Sequence, residues 1–168
     1  MPVKYIESSL REYDMIFCNS SPSPKLDKQQ LDDDATELSV EEASKYRTVV
    51  CRLIFIAKKR PDIQSTIRWL CKRLKAPDFK AKRQLVKLLR SVKGTWDLST
   101  FFPKDEPVLQ IDAYLDADWG SDELDRKSVM GGVIMVAGCR LHSHSRGGSV
   151  QALSSAEAEI QSASELLK

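Results

Sequence analysis

The sequence predicts an α+β chain in which a helical half precedes a strand-rich half. Three observations carry that expectation. Apolar residues recur at helical spacing from Val3 to Val92, alternation and short apolar runs replace that spacing after Thr95, and charge divides near the same boundary. Residues 1–44 hold 4 Lys/Arg against 10 Asp/Glu, residues 45–95 hold 16 against 2, and residues 96–168 hold 6 against 12. The net charges are −6, +14 and −6, so a basic central third needs a polyanion or an acidic neighbour to offset its self-repulsion. At 168 residues the chain is one ordinary domain or two small ones, and its 42% hydrophobic content supplies a core and excludes disorder throughout.

Taken in order, Val3, Ile6, Leu10 and Tyr13 predict a short amphipathic helix. The following CNSSPSPKLDKQQLDDDATELS is too polar to order itself and predicts a linker or a loop lying over a neighbour. Ser39 and Glu42 form a capping-box pattern that opens a helix running to about Lys59, before Arg60-Pro61. Ile63, Ile67, Leu70, Cys71 and Leu74 mark a second basic-region helix, and Ala76-Pro77-Asp78 breaks it. Leu85, Leu88, Leu89 and Val92 mark a third, with Gly94 as its stop. Val108 to Leu115 predicts a strand entering Asp116, GGVIMVA at Gly131–Ala137 a buried strand, and Arg140–Ser145 a further one. Ser154 or Ser155 caps a last helix that carries Glu157 and Glu159 in its first turns.

The longest apolar run, Leu53 to Ala57, is far short of the ~20 residues of a membrane span, and MPVKYIESSLREYD has charges where a signal peptide needs apolar residues. A soluble, intracellular protein with no membrane partner is expected. Cys18, Cys51, Cys71 and Cys139 lack the CxxC pairing of structural zinc sites and are expected to be reduced thiols. His142 and His144, two apart on a strand, share a face, but no Cys or third His stands near them in sequence to complete a metal site.

Two features carry chemistry. Asp116-Ala117-Asp118-Trp119, followed by Asp122, Glu123 and Asp125, puts carboxylates at a strand end, and a helix delivering Glu159 beside them would supply hard oxygen ligands for magnesium. Such clusters are also ordinary solvated loops. The second feature is the basic face of the third basic-region helix, Lys80, Lys82, Arg83, Lys87, Arg90 and Lys93, extended by Arg68, Lys72, Arg73 and Lys75. That face would attract phosphate backbones without reading bases. A plain solvated helix face is the alternative.

KYIESSLREYDM with CNSSPSPKL, YRTVVCRLIFIAKKRPDI, LLRSVKGT, YLDADWGSDELDRKS with MGGVIMVAG, and ALSSAEAEI stand in this order along nearly the whole chain. Together they resemble the stretch of a copia-type retrotransposon Pol polyprotein that joins the end of reverse transcriptase to ribonuclease H. The resemblance implies three segments: residues 1–38 as a thumb-end helix and linker, 39–95 as a basic helical connection, and 96–168 as the first half of a ribonuclease H-like domain. That half would be a three-stranded antiparallel meander followed by a helix.

The same resemblance matches Asp116 and Glu159 to two magnesium-binding catalytic acids, with Asp118 and Glu157 as supporting or surface neighbours. The family's remaining acids, one in a CDN-like motif, and the polymerase YxDD motif have no counterpart in these residues. Glu165, six residues beyond Glu159 and about 240° around a helix, cannot replace them. Leu141 to Gly148 also departs from the family's Trp and Lys-Lys-Gln pattern, which puts substrate contacts there in doubt. The implied partners are an RNA·DNA hybrid or duplex and the rest of the polyprotein, in a cytoplasmic particle or the nucleus. The implied intact activity is hydrolysis of the RNA strand, with the isolated chain expected to be inactive. The competing expectation is a non-catalytic, basic nucleic-acid-binding remnant of a decayed element.

Overall fold

The computed structural model describes residues 3–25, 35–100, 102, 110–122 and 124–166. The chain divides into two compact units, Met1–Ser99 and Thr100–Lys168. Among the described residues it contains five helices and one three-stranded antiparallel sheet, an α+β composition. No helix among them is long and apolar enough to cross a membrane.

The first unit is built from α1 (Val3–Glu12), α2 (Val40–Ala57), α3 (Pro61–Cys71) and α4 (Phe79–Gly94). Each start has a local cause. Ser39 accepts a hydrogen bond from the Glu42 amide at 3.3 Å, Pro61 occupies the first turn of α3 where its missing N–H is no loss, and Asp78 accepts from the Ala81 amide at 2.6 Å. Tyr46, Leu53, Ile56, Ile63, Leu70, Leu85, Leu88 and Leu89 are almost fully excluded from solvent and form one core. Each large side chain so buried contributes roughly 1.5–3 kcal/mol. Tyr46 keeps its hydroxyl satisfied inside that core by donating to the Leu70 carbonyl at 2.9 Å.

Arg60 is 3% exposed and ties two ends of this unit together. Its guanidinium grips Asp62 through two bonds of 2.8 and 2.6 Å, and donates to the Thr95 carbonyl and hydroxyl at 2.8 and 2.7 Å. A buried charge is tolerated because every nitrogen of the guanidinium finds an acceptor. Gly94 is the last residue of α4, as expected, with Thr95 as the C-cap. The φ of Gly94 is not positive, but a Cβ there would stand 2.7 Å from the Cβ of Ser20, so glycine admits the segment after α1. That segment docks on α4: the Ser21 amide donates to the Arg90 carbonyl at 3.2 Å, and the Gln84 side chain donates to the Pro24 carbonyl at 2.8 Å.

The second unit holds β1 (Ile111–Asp118), β2 (Val129–Val136), β3 (Cys139–Gly147) and α5 (Ser155–Leu166), with strand order β1-β2-β3. The expected start of the first strand at Val108 and Leu109, and Glu123 of the acidic cluster, lie outside the described residues. Val136 pairs with Cys139 around a two-residue turn in which Ala137 and Gly138 both have positive φ, 48° and 71°. That geometry fits the right-handed twist of a hairpin but strains an alanine. Ala137→Asn is expected to raise the stability of this unit by roughly 1 kcal/mol, read as an upward shift of its melting temperature.

A bulge between Ile134 and Met135 leaves Leu141 of β3 unpaired and 72% exposed. Positions facing each other across antiparallel strands share a face, so Ile111, Ala113, Leu115 and Ala117 lie with Met130, Gly132, Ile134 and Val136. α5 covers part of this face: Leu166 lies over Gly132, and Met130 and Ala158 are 1% and 0% exposed, whereas Ile111 stays 69% exposed.

Among the described residues of the second unit only Met130, Ala152, Ala158 and Leu166 are buried apolar side chains, against nineteen in the first. With so small a core the second unit is expected to melt first, giving two transitions on heating. Amide exchange should assign the earlier one to β1–β3 and α5. A single cooperative transition would contradict this.

Candidate metal and nucleic-acid sites

The C-terminal end of β1 and the start of α5 are fastened together by side-chain hydrogen bonds. Trp119 donates its indole N–H to the Ala152 carbonyl at 2.9 Å. Ser154 accepts from the Glu157 amide at 3.1 Å, while the Glu157 carboxylate accepts from the Leu153 amide at 2.7 Å. Glu157 therefore serves the helix cap, as a supporting acid rather than a free carboxylate. Farther along, Ser162, fully buried, donates its hydroxyl to the carbonyl of Asp116 at 3.2 Å.

Glu159 lies three residues before Ser162, on the same side of α5, and is exposed. The structure thus brings the helix of Glu159 to the backbone of Asp116. The Asp116 carboxylate projects with Asp118 from the face opposite Leu115 and Gly132, beside Gly131, where a Cβ would meet nothing within 4 Å. Both Asp116 and Asp118 are exposed, so a solute can reach them.

Asp122 and Asp125 serve the β1–β2 turn instead. Asp122 accepts from the Leu124 amide at 3.1 Å and Asp125 from the Lys127 amide at 3.2 Å, bracketing Arg126 at a φ of 55°. Among the described residues no group of three or more His, Cys, Asp or Glu is arranged to hold a metal ion. The donor set at the end of β1 is nonetheless all carboxylate oxygen, which fits magnesium: that ion keeps several waters and is often held by only one or two carboxylates.

The five expected nucleic-acid contacts, Lys80, Lys82, Arg83, Lys87 and Arg90, all lie on α4. Two of them have structural duties that no motif revealed. Lys82 is paired with Glu42 of α2, and the ammonium holds that carboxyl below its ordinary range. Arg90 donates to the Asn19 carbonyl at 2.8 Å. Arg83 is exposed, and Lys87, four residues on, shares its face.

The wider basic region is similarly engaged. Arg52 pairs with Glu12 at 3.2 Å, and Lys45 with Glu41 at 3.0 Å. Arg47 donates to the Leu74 and Lys75 carbonyls at 2.8 and 3.2 Å, and Arg73 stacks 3.4 Å from the centre of the Trp69 ring. The acidic neighbour that the charge pattern requires is therefore in part the chain's own N-terminal region, through Glu12, Glu41 and Glu42.

No protein-family model matches the chain, and no solved structure matches it. Among curated proteins it is 30% identical over 142 residues to the retrovirus-related Pol polyprotein from transposon RE1 of Arabidopsis thaliana, covering 84% of this chain and 9% of that protein. It is 30% identical over 119 residues to the corresponding polyprotein from transposon RE2 of the same plant, covering 71% of this chain and 8% of that protein. An uncharacterized mitochondrial protein of Arabidopsis thaliana is 28% identical over 130 residues, 76% of this chain and 52% of its own length. The chain spans about half the length of this last relative and less than a tenth of the two polyproteins. The chain is a homologue of a short segment of retrotransposon Pol polyproteins.

Proposed function

We propose that this segment runs from the end of a copia-type reverse transcriptase into the first half of a ribonuclease H-like domain. In the intact polyprotein, Asp116 and Glu159 are two of its magnesium ligands. The observation that carries this reading is the bond from Ser162 to the carbonyl of Asp116, which sets the helix of Glu159 against the strand of Asp116. Bound magnesium would supply an activated water and a counter-charge for the leaving oxygen of a phosphodiester.

The protein's own part is to hold Asp116 at the end of β1 and Glu159 on the helix that Trp119, Ser154 and Ser162 fasten to that strand. Arg83, Lys87 and their neighbours on α4 would hold the phosphate backbone of an RNA·DNA hybrid.

Manganese, which replaces magnesium at carboxylate sites and is paramagnetic, tests the metal reading directly. Titrated into the labelled chain, it should broaden amide signals near Asp116 and Glu159 before any others, and Asp116→Asn should remove that preference. Broadening spread over all acidic residues alike would refute the assignment.

A second reading, a basic nucleic-acid binder without catalysis, is favoured by one observation. Residues 45–95 hold 16 Lys/Arg against 2 Asp/Glu.

A further inference from the structure

We propose that His144 is an acid-sensitive wedge, holding the C-terminal turn of α5 against the sheet only while its imidazole is neutral. The ring lies on bare backbone. A Cβ at Gly132 would stand 2.5 Å from Cε1 and 3.1 Å from Nε2 of His144, and 2.7 Å from Cδ1 of Leu166. Strand β2 thus leaves room at Gly132 for an imidazole and a leucine together, and Leu166 is the last residue of α5. Nε2 of His144 is buried with no hydrogen-bond partner among the described residues.

A neutral imidazole tolerates such a site at modest cost. An imidazolium must place two N–H donors and a full charge there, which costs far more. The charges facing the ring sharpen the contrast. On β3, His142 stands with its ring centre 5.7 Å away, and Arg146 lies two residues on, both opposing a positive charge. On α5, Glu165 favours it, but Arg146 approaches that carboxylate at 3.7 Å. The β1 and β2 positions on this face, from Ile111 to Ala117 and from Met130 to Val136, carry no charge.

Burial first, then Arg146 and His142, hold the His144 imidazole below its ordinary range, with Glu165 only partly opposing them. The unfolded chain therefore takes up the proton first. The wedge's contribution is complete above the unfolded imidazole value of about 6.5 and is lost as pH falls below it. Once protonated, the ring leaves Gly132 for solvent and Glu165, and Leu166 loses its neighbour. The bond from Ser162 to Asp116 is then the anchor that remains for the helix of Glu159.

Amide exchange on the full chain, corrected for intrinsic rates, tests this at about pH 7.5 and about pH 5.5. Protection at residues 162–166 should fall by about fivefold or more at the lower pH while that of α2 and α4 holds. His144→Phe, which fills the same space without titrating, should abolish the response, and His142→Gln should retain it. If His144→Phe does not fold, the Cε1 proton of His144 in the unaltered chain should titrate below about 6.5, with the Leu166 methyl signals moving in step. Protection that ignores pH, an equal fall in His144→Phe, or a His144 midpoint at or above that value would overturn the proposal.

Discussion

On the function proposed above, the chain lengthened at its C-terminus by the polypeptide that follows the matching segment in a retrotransposon Pol polyprotein should hydrolyse the RNA strand of an RNA·DNA hybrid. The 168 residues alone should give no cleavage with magnesium or manganese. The difference rests on ligand number. Two carboxylates hold one hydrated ion, whereas in-line displacement at a phosphodiester is best served by two ions held about 4 Å apart by further acids. A missing ligand costs several kcal/mol of transition-state stabilisation, and each 1.36 kcal/mol is about tenfold in rate. Asp116→Asn or Glu159→Gln in the longer chain should each lower the rate by roughly a thousandfold, while Asp118→Asn should do much less. Measured on a labelled hybrid, cleavage by the short chain that vanishes in Asp116→Asn would show that another acid completes the site.

The second large effect is expected in nucleic-acid binding. A duplex or hybrid held through about four phosphates should lose roughly a hundredfold in affinity between 50 and 200 mM salt, with little dependence on sequence. Arg83→Glu combined with Lys87→Glu should weaken binding at low salt by roughly a hundredfold and flatten the salt dependence. Lys82→Glu and Arg90→Glu should lower the melting temperature of that unit, because they break the pairing with Glu42 and the bond to Asn19. Fluorescence anisotropy across a salt series, read beside thermal melts of the same variants, separates the two roles. Undiminished binding by the Arg83, Lys87 double variant would remove α4 from the interface.

How much of this was legible in the sequence depends on how far apart the interacting residues lie. The caps at Ser39 and Ser154, the helices they open and the strand entering Asp116 follow from neighbours within four residues, and these expectations match the structure closely. Lys82 and Glu42 are 40 residues apart, and Arg90 and Asn19 are 71, so nothing local distinguishes an engaged cation from a solvated one. The bulge at Leu141 was hidden for a similar reason, because it arises from pairing with β2 rather than from β3's own composition. Gly94 was recognised as a helix end, but the clash with Ser20 that a side chain there would make could not be read from its neighbours. At the candidate metal site the two acids could be named from the resemblance, but the hydroxyl of Ser162 that joins their elements could not. A serine within SAEAEIQSASE carries no signal of which carbonyl it will reach.

The docking of the segment after α1 has a consequence for how freely this stretch can mutate. Lys93, Arg90 and Gln84 of α4 donate to the carbonyls of Cys18, Asn19 and Pro24, and Ser21 offers its amide in return. Every one of these contacts uses main-chain atoms of the docked segment, which any residue can supply, apart from proline at position 21, which lacks an amide proton. Mutational drift should therefore pass easily through Asn19 and Pro24 but halt at Gln84, Arg90 and Lys93, whose side chains cannot be replaced by a backbone. A saturation library scored for folding should show that one-sided tolerance, with the permissive strip and the restrictive one facing each other across the same interface.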